Sequence, residues 1–418
     1  MTLFYLTLKS LRQRKAGVAL TVFTVALSVF LLLGVERIRT DARQNFASTV
    51  SGTDLLVGAR SGPVTLLLYA IFHIGEATNN ITWKSYQDIR AMPEVAWTVP
   101  LSLGDSHRGF RVTGTSTDFF SHYRYGRGNA LAFARGAPFA DLYDAVIGSE
   151  VARQLHYRVG DRIVLSHGLG GPNLASHADK PFHISGVLAP TGTPVDATIA
   201  VSLEAIEAIH IDWHAGIRLP GMEASADQAR HRDLTPKAIT ATLVGLRSRL
   251  SAFAVQRAID DYPEEPLLAV LPGVALGELW HLVGAAESAL RVVSGMVLLV
   301  GMAGMLTALL GMLGERRREM AVLRAVGASP LSVFALLVME STLLTMAGIL
   351  AGVILLDVAT WLAHDYLLST AGLLIDAAPA RGEWLLLLIV IALGSLAGCI
   401  PGWVAYRRSL ADGLQVRL

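Results

Sequence analysis

The chain has 418 residues, 52% hydrophobic and only 17% charged, with a mean hydropathy of +0.48. Soluble globular chains carry about 25% charge, so this composition argues against a cytosolic enzyme and equally against disorder or a collagen-like repeat. A formal net charge of +1 provides no basic face for nucleic acid, and the single cysteine, Cys399, rules out an internal disulfide or a cysteine-rich zinc site.

Residues 1–15 form a basic, amphipathic start carrying Lys9, Arg12, Arg14 and Lys15. The stretch 16–35 that follows contains no charge. A bilayer core of about 30 Å needs about 20 apolar helical residues, so this is a first transmembrane helix. Its apolar core is too long for a signal peptide, and no small-x-small site follows at 36–38. It reads as an uncleaved anchor. Residues 36–50 are polar and helix-compatible, a continuation of that helix out of the membrane as a stalk.

Residues 51–272 change texture. Short β-branched or alternating runs at 110–112, 162–165 and 182–188 are punctuated by glycine and proline turns. Helical pieces are expected at 149–155, 202–210 and 235–260. The apolar stretch 64–74 is too short to span a bilayer and reads as core, with contact to lipid or apolar cargo as the lesser reading. The whole is a mixed α+β domain. Residues 273–291 space Leu276, Leu279, Leu282 and Ala286 at helical intervals and form a second stalk.

Three further apolar runs complete the chain: 292–313, 331–356 and 384–406. The fold class is therefore a membrane protein with four transmembrane α-helices, one plus three, and a large α+β domain inserted between helices 1 and 2. Orientation follows from the basic flanks. Residues 1–15, the 314–330 segment (Arg316, Arg317, Arg318, Arg324) and the 407–418 tail (Arg407, Arg408, Arg417) are basic. The short loop 357–383 sets Arg381 against Asp357, Asp365, Asp376 and Glu383. Both termini and 314–330 are thus expected in the cytoplasm, and the inserted domain outside it.

Motifs narrow the chemistry. There is no G-x-x-x-x-G-K-[ST], so no backbone cradle for a nucleotide phosphate, and neither G-x-S-x-G nor H-E-x-x-H occurs. The chain itself is not expected to be an enzyme or to bind a cofactor. Within 314–330, Met320, Leu323 and Gly327 share one helical face with Arg316, Arg317 and Arg324 off it, the pattern of a short amphipathic helix that docks into a partner's groove. In the third helix Glu340 is a charge in an apolar run, read evenly as a polar helix–helix contact or hinge and as an interfacial or protonated carboxylate. Gly348 and Gly352, and Gly394, Gly398 and Gly402, recur at four-residue spacing and permit close helix approach, within the chain in preference to a dimer seam. His210, Asp212 and His214 place two imidazoles at i, i+4 around a carboxylate and are weak metal candidates; His177, Asp179 and His183 are a second weak set.

The string Glu315-Arg316-Arg317-Arg318-Glu319-Met320-Ala321-Val322-Leu323-Arg324-Ala325-Val326-Gly327-Ala328 resembles the coupling segment of MacB/FtsX-like ABC transporter permeases. The strings at 114–120 (GTSTDFF), 147–152 (IGSEVA), 159–163 (VGDRI) and 182–187 (FHISGV) are similar to that family's periplasmic core domain, and 401–410 (PGWVAYRRSL) to its C-terminal end. The resemblance implies a non-catalytic permease subunit in a bacterial inner membrane, paired as a homodimer. A cytoplasmic ATPase dimer, carrying the ATP and Mg, would dock through Glu315, Arg316, Arg317, Arg318, Glu319, Met320, Leu323, Arg324 and Gly327. It further implies work on a periplasmic or membrane cargo, with an adaptor, lipoprotein or enzyme as partner. Two alternatives stand beside it: a transmembrane regulator of a periplasmic enzyme that moves no solute, and a membrane-tethered periplasmic metal-binding sensor.

Overall fold

A computed structural model describes residues 14–49, 51–126, 128–168, 176–214, 217–218, 224–315, 322, 325–371 and 381–411. The chain divides into two compact units. Met1–Asp41, Gly284–Asp365 and Ile375–Leu418 make a helical unit, and Ala42–Val283 with Tyr366–Leu374 make the inserted domain. In chain order the helices are α1 (Lys15–Thr49), α2 (Pro63–Ile71), α3 (Trp83–Arg90), α4 (Asp118–His122), α5 (Ser149–Leu155), α6 (Leu203–His210), α7 (Ala226–Arg230), α8 (Ala252–Asp260), α9 (Pro272–Glu315), α10 (Pro330–Ala371) and α11 (Arg381–Ala411).

Four of these, α1, α9, α10 and α11, contain stretches long and apolar enough to cross a membrane. Their outward faces are as apolar as their packed ones. In α1, Val25, Val29 and Leu33 are buried at four-residue intervals, while Leu20, Phe23, Leu27 and Leu31 are exposed on another face. A helix in water would make the second face polar; an apolar one suits lipid. Within the unit Val25, Val29, Leu33, Leu298, Met302, Met305 and Leu344 share one core.

The helices outlast the apolar runs. α9 is 44 residues long, about 66 Å at 1.5 Å per residue, twice a bilayer core. Its first turns bury Ala275 and Leu276 in the core of the inserted domain. In the 273–291 stretch Trp280 lies under the guanidinium of Arg43 on α1, 5.2 Å from the ring centroid. Further along, Glu287 lies 3.8 Å from Arg39 of α1. α10 likewise continues to Ala371, through much of what the sequence suggested was the 357–383 loop. Residues 357–371 contain neither glycine nor proline, so nothing local stops the helix at the end of the apolar run.

The inserted domain is built on a mixed sheet. Its strands are β1 (Leu55–Ala59), β2 (Val95–His107), β3 (Phe110–Thr115), β4 (Phe133–Gly136), β5 (Asp144–Ile147), β6 (Arg162–Ile163), β7 (Ser166–His167), β8 (Phe182–Leu188), β9 (Thr198–Ser202), β10 (Ala241–Leu246) and β11 (Leu267–Val270). They run in the order β11-β1-β10-β2-β3-β9-β5-β8-β4, with β7 on β2 and β6 on β8. The β9–β3 and β8–β5 pairs are parallel; the others are antiparallel. Both faces are covered. Alternate residues of β1 go to opposite cores, Leu56 with Leu66 and Leu67 of α2, and Leu55 and Val57 with Ile89 of α3 and Ile259 of α8. Most of the apolar 64–74 stretch thus lies in a core, as α2 and Phe72, while Ile74 is exposed.

One expected helix, 235–260, is split. Residues 241–246 (ATLVGL) form β10 in the middle of the sheet, and the helix begins at Ala252. The β-branched Thr242 and Val244 suit a strand, and pairing with both β1 and β2 decides it.

Candidate functional site

A cluster of ligand-type side chains lies on the inserted domain, built from three separate elements. β2 and β3 form a hairpin whose turn, Arg108-Gly109, takes positive φ at both residues (49° and 89°), as a two-residue turn of right-twisted strands requires. Just before it, β2 carries a bulge. Leu103 pairs with Thr113 but Ser106 pairs with Arg111, so one extra residue sits in β2. Gly104 supplies it, at φ 150°, a conformation side chains resist. The bulge re-aims Asp105, which then faces His167 across the β2–β7 pair. Gly168 N–H donates to the Gly104 carbonyl and holds the edge strand in place (2.9 Å).

The third member, His210, ends α6. That helix starts with a cap, Ser202 Oγ accepting from Ala205 N–H (3.0 Å), and buries Leu203, Ala205, Ala208 and Ile209. His210 Nδ1 donates to the Ile206 carbonyl at 2.9 Å. Its Nε2 lies 3.2 Å from His167 Nδ1 and 3.5 Å from Asp105 Oδ1, and His167 Nδ1 lies 3.1 Å from the same oxygen. Asp105, His167 and His210 form a group with metal-ligand spacing.

Electrostatics fit the geometry. Burial works to raise the Asp105 carboxyl, but hydrogen bonding to His167 and His210 and the charge of nearby imidazoles hold it down at about 2. Burial works to lower His210, and the Asp105 carboxylate more than reverses it, so this imidazole is raised. His177 packs edge-on to His210 with centroids 5.0 Å apart. Burial, helped by His210, pushes it down to about 4. His167 also lines an open cleft of about 380 Å³, with His107, Arg108, Tyr157, Arg162 and Ser166.

The sequence-derived metal sets are regrouped. For His210, Asp212 and His214, α6 ends at His210 and the chain turns before the strand Trp213–His214, so the expected helical i, i+4 spacing is not formed. Asp212 is buried and accepts from Lys180 Nζ at 3.0 Å, with Asp179 on the same ammonium at 3.1 Å. The side chain of His214 lies outside the described residues. In the second set, His183 is exposed and accepts from Arg162 Nε (3.1 Å), while Asp179 engages Lys180. Asp105 and His167 escaped sequence reading; the isolated Gly104 inside a strand pattern was the available signal.

In the helical unit Glu340 is fully buried. One residue on, Ser341 Oγ donates to the Gly394 carbonyl at 2.6 Å. The five glycines sit at helix contacts within the chain. A Cβ at Gly348 or Gly352 would strike Val25 or the Ala26 carbonyl on α1; one at Gly394, Gly398 or Gly402 would strike Thr345, Ser341 or Phe334 on α10. An ionic cluster not foreseen from the sequence joins three helices. Arg37 of α1 gives Nε and Nη2 to Glu383 of α11 (3.1 and 3.0 Å) and Nη1 to Asp357 of α10 (2.8 Å).

Of the expected coupling segment, Arg316, Arg317, Arg318, Glu319, Met320, Leu323 and Arg324 lie outside the described residues. Glu315 ends α9. Gly327 takes φ 100° just after a Val326 N–H to Val322 carbonyl bond, which gives it a helix-ending role.

Residues 18–262 match the model of the MacB-like periplasmic core domain, and 291–412 that of the FtsX-like permease C-terminal. Among solved structures, the chain is similar to the periplasmic region of MacB from Actinobacillus actinomycetemcomitans. That match has 8% identity and a TM-score of 0.34, covering 56% of this chain and 96% of that one. It is also similar to the extracellular domain of the noncanonic ABC-type transporter YknZ from Gram-positive bacteria, with 12% identity and a TM-score of 0.30, covering 52% and 99%. No curated protein matches the chain.

Proposed function

The chain belongs to the MacB/FtsX-like family of ABC transporter permeases, and from that premise we propose that it is the non-catalytic membrane subunit of a machine powered by a separate cytoplasmic ATPase. The ATPase dimer docks on 315–328, where Met320 and Leu323 supply apolar contacts and Glu319 and Arg324 polar ones. Both termini lie in the cytoplasm, the inserted domain lies in the periplasm, and two copies of the chain pair. The observation that carries this reading is the continuity of α9, one helix that begins in the core of the inserted domain and runs on through the second apolar span. An unbroken helix transmits a displacement rather than absorbing it. The output is a change in the inserted domain that exports or extracts a periplasmic or membrane cargo.

The test is co-purification of an ABC ATPase with the chain from membranes. Glu319→Lys combined with Leu323→Asp should abolish recovery of the ATPase while the chain still inserts. Wild-type recovery with this double variant would overturn the coupling assignment.

A further inference from the structure

We propose that Asp105, His167 and His210 form a three-ligand site for a divalent transition-metal ion, with Zn²⁺ as the fitting occupant, on the inserted domain. The distances argue for it first. The three facing donor atoms stand 3.1, 3.2 and 3.5 Å apart. A tetrahedral Zn²⁺ with bonds of about 2.0–2.1 Å sets its donors about 3.3–3.4 Å apart. The triangle is therefore already the size of one face of that tetrahedron.

The tautomer argues for it second. A carbonyl oxygen only accepts, so the 2.9 Å contact to Ile206 puts the His210 proton on Nδ1. In the neutral ring the Nε2 lone pair then points at the Asp105 oxygen, lone pair against lone pair. Either a proton on Nε2 or a metal ion must then sit between them. A ligating histidine whose other nitrogen donates to a backbone carbonyl is the usual outer-shell arrangement at metal centres. Here the helix end supplies it with no additional residue.

The donor set decides the class of ion. Two imidazoles and a carboxylate suit Zn²⁺, Cu²⁺ or Ni²⁺, whereas Ca²⁺ and Mg²⁺ call for oxygen donors alone. Access is present: the His167 side chain is 44% exposed and forms part of the cleft wall. The ligands are also preorganised. Asp105 is held by the bulge, and the buried Lys180–Asp212 pair fixes the chain just beyond His210. The site does not depend on the ATPase assignment, which concerns other residues.

The experiment uses the full-length protein, purified in detergent and stripped with a chelator. Zn²⁺ alone is titrated in competition with a chromophoric chelator. The wild type should withhold one Zn²⁺ per chain, and His167→Ala and His210→Ala should each weaken that site at least about tenfold. Equal Zn²⁺ affinity in the wild type and His167→Ala, or no Zn²⁺ withheld, overturns the proposal. His167 is half-exposed on a short edge strand, so its replacement remains decisive if His210→Ala fails to fold. Co²⁺ gives an independent reading. The wild type should show the intense visible bands of four-coordinate Co²⁺ and His167→Ala should lose them; a wild-type spectrum matching aqueous Co²⁺ counts against the site.

Discussion

Charge is buried in both units of this protein, but under different rules. In the helical unit one cation, Arg37, reaches Glu383 and Asp357 on two other helices, and its planar fork satisfies both oxygens of Glu383 at once. In the inserted domain Lys180 answers Asp212 and Asp179 in the same closed manner, whereas among the described residues Asp105 faces imidazoles. The first two clusters carry their own counter-charge in fixed side chains. The third has as its counter-charge either a proton or an external cation. The difference teaches where to look for structure and where for a ligand: a closed ion cluster fastens helices or segments, and an open one can respond.

Breaking a closed cluster should give the largest effect. Arg37→Met leaves Glu383 buried without a partner, at a cost of about 3–5 kcal/mol. This should appear as a strongly lowered melting temperature in detergent. Arg37→Met with Glu383→Leu should recover most of the loss, because the only carboxylate of the cluster left without its arginine, Asp357, is half-exposed. If the single and double variants melt alike, the cluster is not the fastener described here. Lys180→Met is the matching test in the inserted domain. Its expected cost is about 3 kcal/mol, at the lower end because Asp179 is partly exposed.

Packing sharpens the comparison at intermediate size. Gly398→Leu forces a side chain into Ser341 and the α10 backbone and should cost about 1–3 kcal/mol. Gly284→Ala, where nothing lies within 4 Å, should instead stabilise α9 slightly. Opposite signs in thermal melts are the expected result; equal signs would remove the close-approach explanation. The smallest effect belongs to the cap that positions His210. Ser202→Ala should cost about 1 kcal/mol, read from chemical denaturation monitored by Trp fluorescence.

Much of the architecture was legible before the structure. The four apolar runs, the α+β texture, the strand at 182–188 and the helices at 149–155 and 203–210 follow from local hydrophobicity, β-branching and capping. Where local cues conflicted, tertiary pairing decided. Residues 241–246 became a central strand because β1 and β2 flank them, and α10 ran on past its apolar segment because no residue there breaks a helix.

Which segments are apolar enough to lie in lipid, and in what order they come, is a local property of the chain, because bilayer length and helical rise turn it into a count of residues. The sequence also carries the contiguous 315–328 string that resembles the family's coupling segment. Only the tertiary structure decided which distant side chains meet. Asp105 and His167 are 62 positions apart, His167 and His210 are 43 apart, and Arg37 and Glu383 are 346 apart. The physical reason is that side-chain chemistry acts over a few ångströms. A bulge at one glycine, the register of a two-residue edge strand and the end of one helix set those few ångströms, and none of the three is written in the spacing of the ligands themselves.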